Sequence, residues 1–308
     1  MMISANFPNL VDPVLDHVYS TSYAEGVQEM GGWVEKIYTV KSNSRSVDRS
    51  LGLGGLSDLA EFTGTFHEDS ISEQYVKTFT PKAYDKKVVI SKQLFEEDEY
   101  DEVKQFPEEM GYAAARTRTK NAVSIFAQAF NTASTSPAIV GDTLSLCNSA
   151  HTSTSSDGAN QSNTGTTALS YSAILSTRLL MRKFRNDRNE LIHVVPDVLL
   201  VPVDLESTAR KILESDLEPD TTDNNANVAT SFYGKKLELW VCDWLTDTNN
   251  WFLINKRMMK KACRWYDKVK DERKTVYDHD RRAIMYSVYE RYSFGVSDWR
   301  WLYGHNVA

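Results

Sequence analysis

The sequence predicts a mixed α+β fold, and three observations carry that expectation. Val123, Phe126, Ala127 and Phe130 fall at i, i+3, i+4 and i+7, the spacing of one helix face. Between residues 171 and 255, helix-spaced and strand-like segments follow one another in the order of an α+β unit. At the end of the chain, in Tyr286–Gly304, Tyr286, Val288 and Tyr292 alternate with polar residues, and Gly295 precedes a second aromatic run. Seven aromatic residues in those nineteen positions are too many for a solvated tail. Tyr292, Phe294, Trp299 and Trp301 are therefore candidate packing residues in a core or a subunit contact.

Asp12-Pro13 reads as an N-cap and first helical residue. The short apolar stripe of Val14, Leu15, Val18 and Tyr19 follows, and Gly26, Gly31 and Gly32 break it. So small a helix must lie on another surface. Trp33–Val40 reads as a strand, and Lys41–Ser50 offers almost no core-forming residues. Strand character returns at Gln74–Phe79 and Ala83–Ser91. A long excursion with little core of its own suggests a projecting arm. An isolated ribbon is marginal in water, so this one is expected to pack on a neighbouring subunit. Leu51, Leu53, Leu56, Leu59 and Phe62 are the apolar residues within it that need a dry surface. Replacing residues 46–70 by a short linker is expected to spare the body and abolish assembly.

Residues 96–102 form an acidic run, read as a solvated or partner-facing patch. Pro107 with Glu108 and Glu109 predicts the start of a long helix, roughly 36 Å to Phe130 at the usual rise. Val123, Phe126 and Phe130 are its candidate core residues. Residues 131–169, rich in Ser, Thr, Asn and Gly, read as an irregular and mobile connection. A helix from Tyr171 to Arg185, a strand at Leu191–Val195 and a strand at Val198–Val201 follow. Pro202 and Asp204 then open a helix through Leu213. After a polar loop at 216–230, Lys236–Cys242 and Trp251–Asn255 are short strands.

The chain of 308 residues suggests about two domains, and a hydrophobic fraction of 41% suffices for a sizeable core. A net charge of −7 argues against a surface that grips nucleic acid throughout. Cys147, Cys242 and Cys263 lie far apart, so neither a zinc knuckle nor a disulfide framework is indicated. No apolar run is long enough to span a membrane, and Met1–Asn6 has no signal-peptide character. Gly52-Leu53-Gly54-Gly55 lacks the Gly-Lys-Ser/Thr of a phosphate loop. Tyr277-Asp278-His279-Asp280 reads as a charged turn, since consecutive residues rarely converge on one metal. Asp220, Asp223, Asn224 and Asn225 lack the spacing of a calcium loop. No Gly-x-Ser-x-Gly elbow accompanies His151. No cofactor, metal or catalytic residue is expected.

Several blocks in order resemble the Mu-like major head subunit family of tailed-phage capsid proteins. They include Gly55-Leu56-Ser57-Asp58-Leu59-Ala60-Glu61-Phe62-Thr63-Gly64, Met110-Gly111-Tyr112-Ala113-Ala114-Ala115 and Val195-Pro196-Asp197-Val198-Leu199-Leu200-Val201-Pro202. Val88–Ser91 with Glu97–Tyr100, Phe184–Asp187, Thr246-Asp247-Thr248-Asn249-Asn250-Trp251-Phe252-Leu253 and the closing Gly295–Arg300 block complete the set. The family's turn glycine is replaced within Asn186–Glu190, where Asn189 can take a left-handed conformation.

The resemblance implies the HK97-like capsid fold. In that fold 1–32 would be an N-terminal arm, 33–92 an extended loop (E-loop) and 93–135 the spine helix of a peripheral domain. Residues 136–260 would be an axial domain, and 261–308 the C-terminal strands completing the core. The resemblance further implies self-assembly into hexamers and pentamers of an icosahedral head around double-stranded DNA. A portal and decoration proteins would be further partners. No cleaved scaffold segment is expected, so a separate scaffold protein is. With no lysine in 43–70, the chemical crosslinking of some relatives is not expected. The function expected is a structural shell subunit, assembled in a bacterial cytoplasm and found in the virion. The rivals are an encapsulin-like shell around protein cargo, or a soluble metal- or nucleotide-dependent enzyme.

Overall fold

A computed structural model describes residues 8–307, apart from 43–44, 60, 63, 65, 67, 72, 92, 95–96, 98–101, 155–157, 220–224, 230 and 233–234. Most of the acidic run and of the calcium-like segment, and Met1–Asn6, lie outside the described residues. No helix among the described residues is long and apolar enough to cross a membrane.

The first helix, α1 (Pro8–Glu29), already contains Asp12 and Pro13, so that pair does not open it. Gly31 and Gly32, at φ of 85° and 61°, end this helix. The expected strand over Trp33–Val40 is instead a short helix, α2 (Trp33–Ile37), followed by β1 (Thr39–Ser42). Trp33 and Ile37 are four residues apart and both buried, so a helical turn hides what an alternating strand would split between faces.

The chain then runs out and back as a ribbon, β2 (Asp48–Leu53) against β3 (Glu73–Phe79), and continues into β4 (Lys82–Ser91). Pro107 lies inside the long helix α3 (Glu102–Ala127) and does not open it. There it forgoes the backbone bond to the carbonyl four residues earlier. α3 lies against α1 at close range. A Cβ on Gly111 would stand 2.6 Å from the Tyr19 carbonyl oxygen, so only glycine permits the approach.

β5 (Thr164–Gly165), α4 (Tyr171–Met181), β6 (Val198–Pro202) and α5 (Glu206–Glu214) follow. Leu191–Val195 is not a strand; Leu191 makes one isolated bridge to Arg185, with Pro196 cutting the segment short. Asn189 has a φ of 65°, the left-handed position expected of it. Next come β7 (Ser231–Phe232), β8 (Lys235–Lys236), β9 (Glu238–Cys242), β10 (Trp251–Ile254) and α6 (Lys256–Ala262). The chain closes with a long hairpin, β11 (Cys263–Asp278) and β12 (Ala283–Val296), and β13 (Leu302–His305). The Tyr277–Asp280 segment lies at the turn of this hairpin.

Two sheets organise the molecule. One has the order β1-β11-β12-β4 and carries α1 and α3 on one face. The other has the order β5-β13-β10-β6-β9. Strands β6 and β10 are buried along their whole length, as expected of a central pair covered on both faces. A small cluster of Leu15, Tyr19, Met110, Tyr286 and Val288 joins α1 and α3 to β12.

Candidate assembly surfaces and the core that carries them

The apolar face of α3 packs into the larger core; the helix ends at Ala127, and Phe130, expected at its end, lies in the turn that follows. Val123 and Phe126 are buried, and Phe130 is partly buried against the same core. Phe126 contacts Phe252 and Trp301, at ring separations of 5.7 and 5.9 Å, and Phe130 stacks on Phe252 at 5.8 Å. The helix therefore meets β10 and the C-terminal segment together.

The aromatic terminus sits in that core. Tyr292 stacks between Tyr84 and Trp265 at 4.5 and 4.7 Å, and its hydroxyl accepts from Asn121 Nδ2 at 2.8 Å. Phe294 is half-buried and stacks on Trp265 at 5.0 Å. Trp299 and Trp301 are buried. The turn between them is self-bonded: Asp298 Oδ1 accepts from the Trp299 N–H at 2.8 Å and from Arg300 Nη1 at 3.0 Å. The structure thus places all four residues inside the subunit.

A buried ionic group ties α3 to the long hairpin. Arg118 donates to Asp267 at 2.9 and 3.1 Å and lies 3.4 Å from Glu290. Trp265 Nε1 also donates to Asp267, at 2.8 Å. The guanidinium lies over the Trp265 and Tyr292 rings, 5.2 and 5.1 Å from their centres. Burial pushes the Glu290 carboxyl up, and Arg118 only partly offsets this. Arg118→Met is expected to lower stability by about 3–5 kcal/mol, because it strands buried carboxylates. Denaturant unfolding of the variant checks this.

Two buried histidines do structural work. His151 has Asp142 Oδ2 at 2.6 Å from Nδ1 and Asn163 Oδ1 at 3.1 Å from Nε2, and stacks on Trp299 at 4.4 Å. The position a nucleophile would need beside Nε2 is taken by an amide oxygen, so this His–Asp pair is not built as a catalytic dyad. His305 stacks on Trp251 at 4.1 Å. Its Nδ1 accepts from the Thr167 N–H at 3.2 Å. Its Nε2 lies 2.8 Å from Thr177 Oγ1, whose own hydrogen goes to the Ala173 carbonyl. Only a neutral ring satisfies both contacts, and burial lowers the His305 pKa to about 4. Between the ordinary value of 6.5 and 4 the unfolded chain binds the proton more readily, so stability falls as pH falls through that window. The loss approaches about 3 kcal/mol at its lower end. Melting curves of wild type and His305→Gln across that range are expected to converge at low pH.

The ribbon carries the remaining predicted residues. Leu51, Leu56, Leu59 and Phe62 are exposed, as are Phe66 and Ile71, which the sequence reading did not single out. Leu53 pairs with Glu73, and its side chain lies outside the described residues. The ribbon base is seated on its own subunit. Phe79 packs on Tyr266 at 5.3 Å, Lys77 Nζ donates to the Ile139 carbonyl at 2.7 Å, and Tyr75 meets Thr152 at 2.9 Å. The ribbon thus leaves these large apolar side chains exposed above a base seated on its own subunit. Segment 131–169, expected to be mobile, instead buries Ala138, Val140, Leu146 and Cys147 with the Asp142–His151–Asn163 network.

The chain was compared with known proteins. A family model described as phage capsid protein matches residues 74–304. No curated protein matches the sequence. Among solved structures, the chain is similar to that of Mycobacterium phage Patience, with a TM-score of 0.58 at 9% identity over 94% of this chain and 86% of that one. It is similar to the capsid structure of the cyanophage P-SCSP1u, with a TM-score of 0.54 at 14% identity over 89% and 87%. It is also similar to a virus-like particle from Pyrococcus furiosus, with a TM-score of 0.50 at 8% identity over 93% and 96%. At these identities the likeness is one of fold.

Proposed function

Because the chain belongs to the phage capsid protein family, we propose that it is the major head protein of a tailed phage or prophage, whose copies build an icosahedral shell around double-stranded DNA. The carrying observation is the family match across residues 74–304, a span that includes α3, strands β4, β11 and β12 of the first sheet and all but the last residue of the second. It is a structural subunit and not an enzyme. In this reading the first sheet with α3 is the peripheral unit, the second sheet is the axial unit facing the capsomer centre, and α1 is the arm. The exposed ribbon residues dock on a neighbouring copy in hexamers and pentamers. A separate scaffold protein, a portal and decoration proteins are its further partners, and the virion is its location. The net charge of −7 suits a wall that encloses DNA without adhering to it.

Purified protein is expected to form shells or capsomer-sized oligomers by light scattering and electron microscopy. A monodisperse 35.0 kDa species at all concentrations overturns the reading. Particles isolated from cells that hold protein cargo in place of DNA favour the compartment reading instead.

A further inference from the structure

Beyond the fold and the exposed apolar residues, the ribbon tip contains a polar clasp. Ser57 donates to Asp69 Oδ2 twice, through its N–H at 2.8 Å and its hydroxyl at 2.9 Å. That joins Ser57 and Asp69, at the two ends of the tip, into the neck of a lobe that carries Leu59, Phe62 and Phe66. The other Asp69 oxygen lies 2.8 Å from Arg188 Nη1, on the turn after α4. Beside it, the Gly55 N–H donates to Asp187 Oδ1 at 3.1 Å. The hydrogen bonds from Ser57 hold the Asp69 carboxyl well below the usual range, with Arg188 acting in the same direction.

The turn that receives the clasp is itself fixed. Asn186 Oδ1 accepts from the Arg188 and Glu190 N–H groups at 3.0 and 2.8 Å, and the Asn186 N–H donates to the Glu190 carbonyl at 2.9 Å. On the lobe so held, Leu59, Phe62 and Phe66 face water, with the two phenylalanine rings 5.4 Å apart. The lobe's polar neck is thus satisfied by its own subunit while its apolar side chains are not.

We propose that Asp69 and Arg188 are positioning residues for assembly: their ion pair holds the apolar lobe on the body in the orientation in which it meets a second copy of this chain. This rests on the shell reading above. Both side chains are only partly buried, 24 and 27% exposed, and a pair so open to solvent adds little to the stability of the subunit that carries it. Its effect lies in association, where a loop ordered beforehand loses less entropy on docking. The same contact recurs in every copy, so a small change per subunit is multiplied across a shell.

The test compares wild type, Arg188→Ala and Arg188→Lys by light scattering over a concentration series, with electron microscopy of the products and thermal melting of the unassembled subunit. The expected result is a several-fold rise in the concentration at which Arg188→Ala forms shells, an unchanged melting temperature, and recovery of most of the loss by Arg188→Lys, which keeps the charge. Assembly of Arg188→Ala at the wild-type concentration overturns the proposal. So does faster assembly, which would mean that the clasp stores the lobe away from its partner. A lowered melting temperature for Arg188→Ala also overturns it, because the pair would then serve the subunit's own fold. If wild type forms no shells at all, the shell reading falls first and the proposal falls with it.

Discussion

Phe126→Asp is expected to yield no folded subunit, not merely a subunit that fails to assemble. Phe126 is 1% exposed and contacts both Phe252 and Trp301, so it touches the second sheet and the C-terminal segment at once. Removing a buried aromatic ring costs about 3–5 kcal/mol. Placing an unpartnered carboxyl there costs several more. The whole stability of a domain is only about 5–15 kcal/mol. Aggregated protein, or a soluble chain without a cooperative melt, is the expected outcome. A soluble Phe126→Asp subunit that melts like wild type would show that this face of α3 is not core.

The same residue shows what was legible in the sequence. The stripe on α3 could be read because its inward positions are apolar and recur at helical spacing. The hairpin strand β11 could not. Its inward positions include Asp267, Arg273 and Thr275, and Asp267 looks like a surface residue until Arg118 is placed beside it. Register shifts between Asp267 and Val269, and again before Glu272, break the alternation further. Composition misled in segment 131–169 for a related reason. Asp142, His151 and Asn163 satisfy one another out of water, and nothing local in the sequence announces that.

The ribbon shows the opposite limit. Leu51, Leu56 and Leu59 were legible as apolar residues without a core, and they are exposed in the structure. The clasp was not legible, because Ser57, Asp69 and Arg188 meet only once the ribbon has folded back over the turn after α4. Sequence patterning reports which side chains want a dry surface. It does not report where a long excursion is tethered.

The tether also sharpens where the loop should be cut. Excising all of residues 46–70 would remove β2, whose Asp48 is buried and pairs with Phe79, and so leave β3 unpaired. Replacing only residues 58–68 by a short Gly-Ser linker keeps the ribbon and both ends of the neck. Among the described residues removed, Leu59, Phe62 and Phe66 are exposed, so their loss forfeits almost no buried apolar surface. Its circular dichroism and melting temperature are expected to match wild type. Assembly is a different matter. Each such side chain contributes about 1.5–3 kcal/mol when fully buried, reduced by the cost of ordering the loop. Lost from every copy at once, that contribution is large against contacts that hold only collectively. Electron microscopy is therefore expected to show free subunits or open fragments in place of closed shells. Normal shells from the shortened protein would rule out the lobe as an assembly surface, and a shortened subunit that no longer folds would place those side chains in its own core after all.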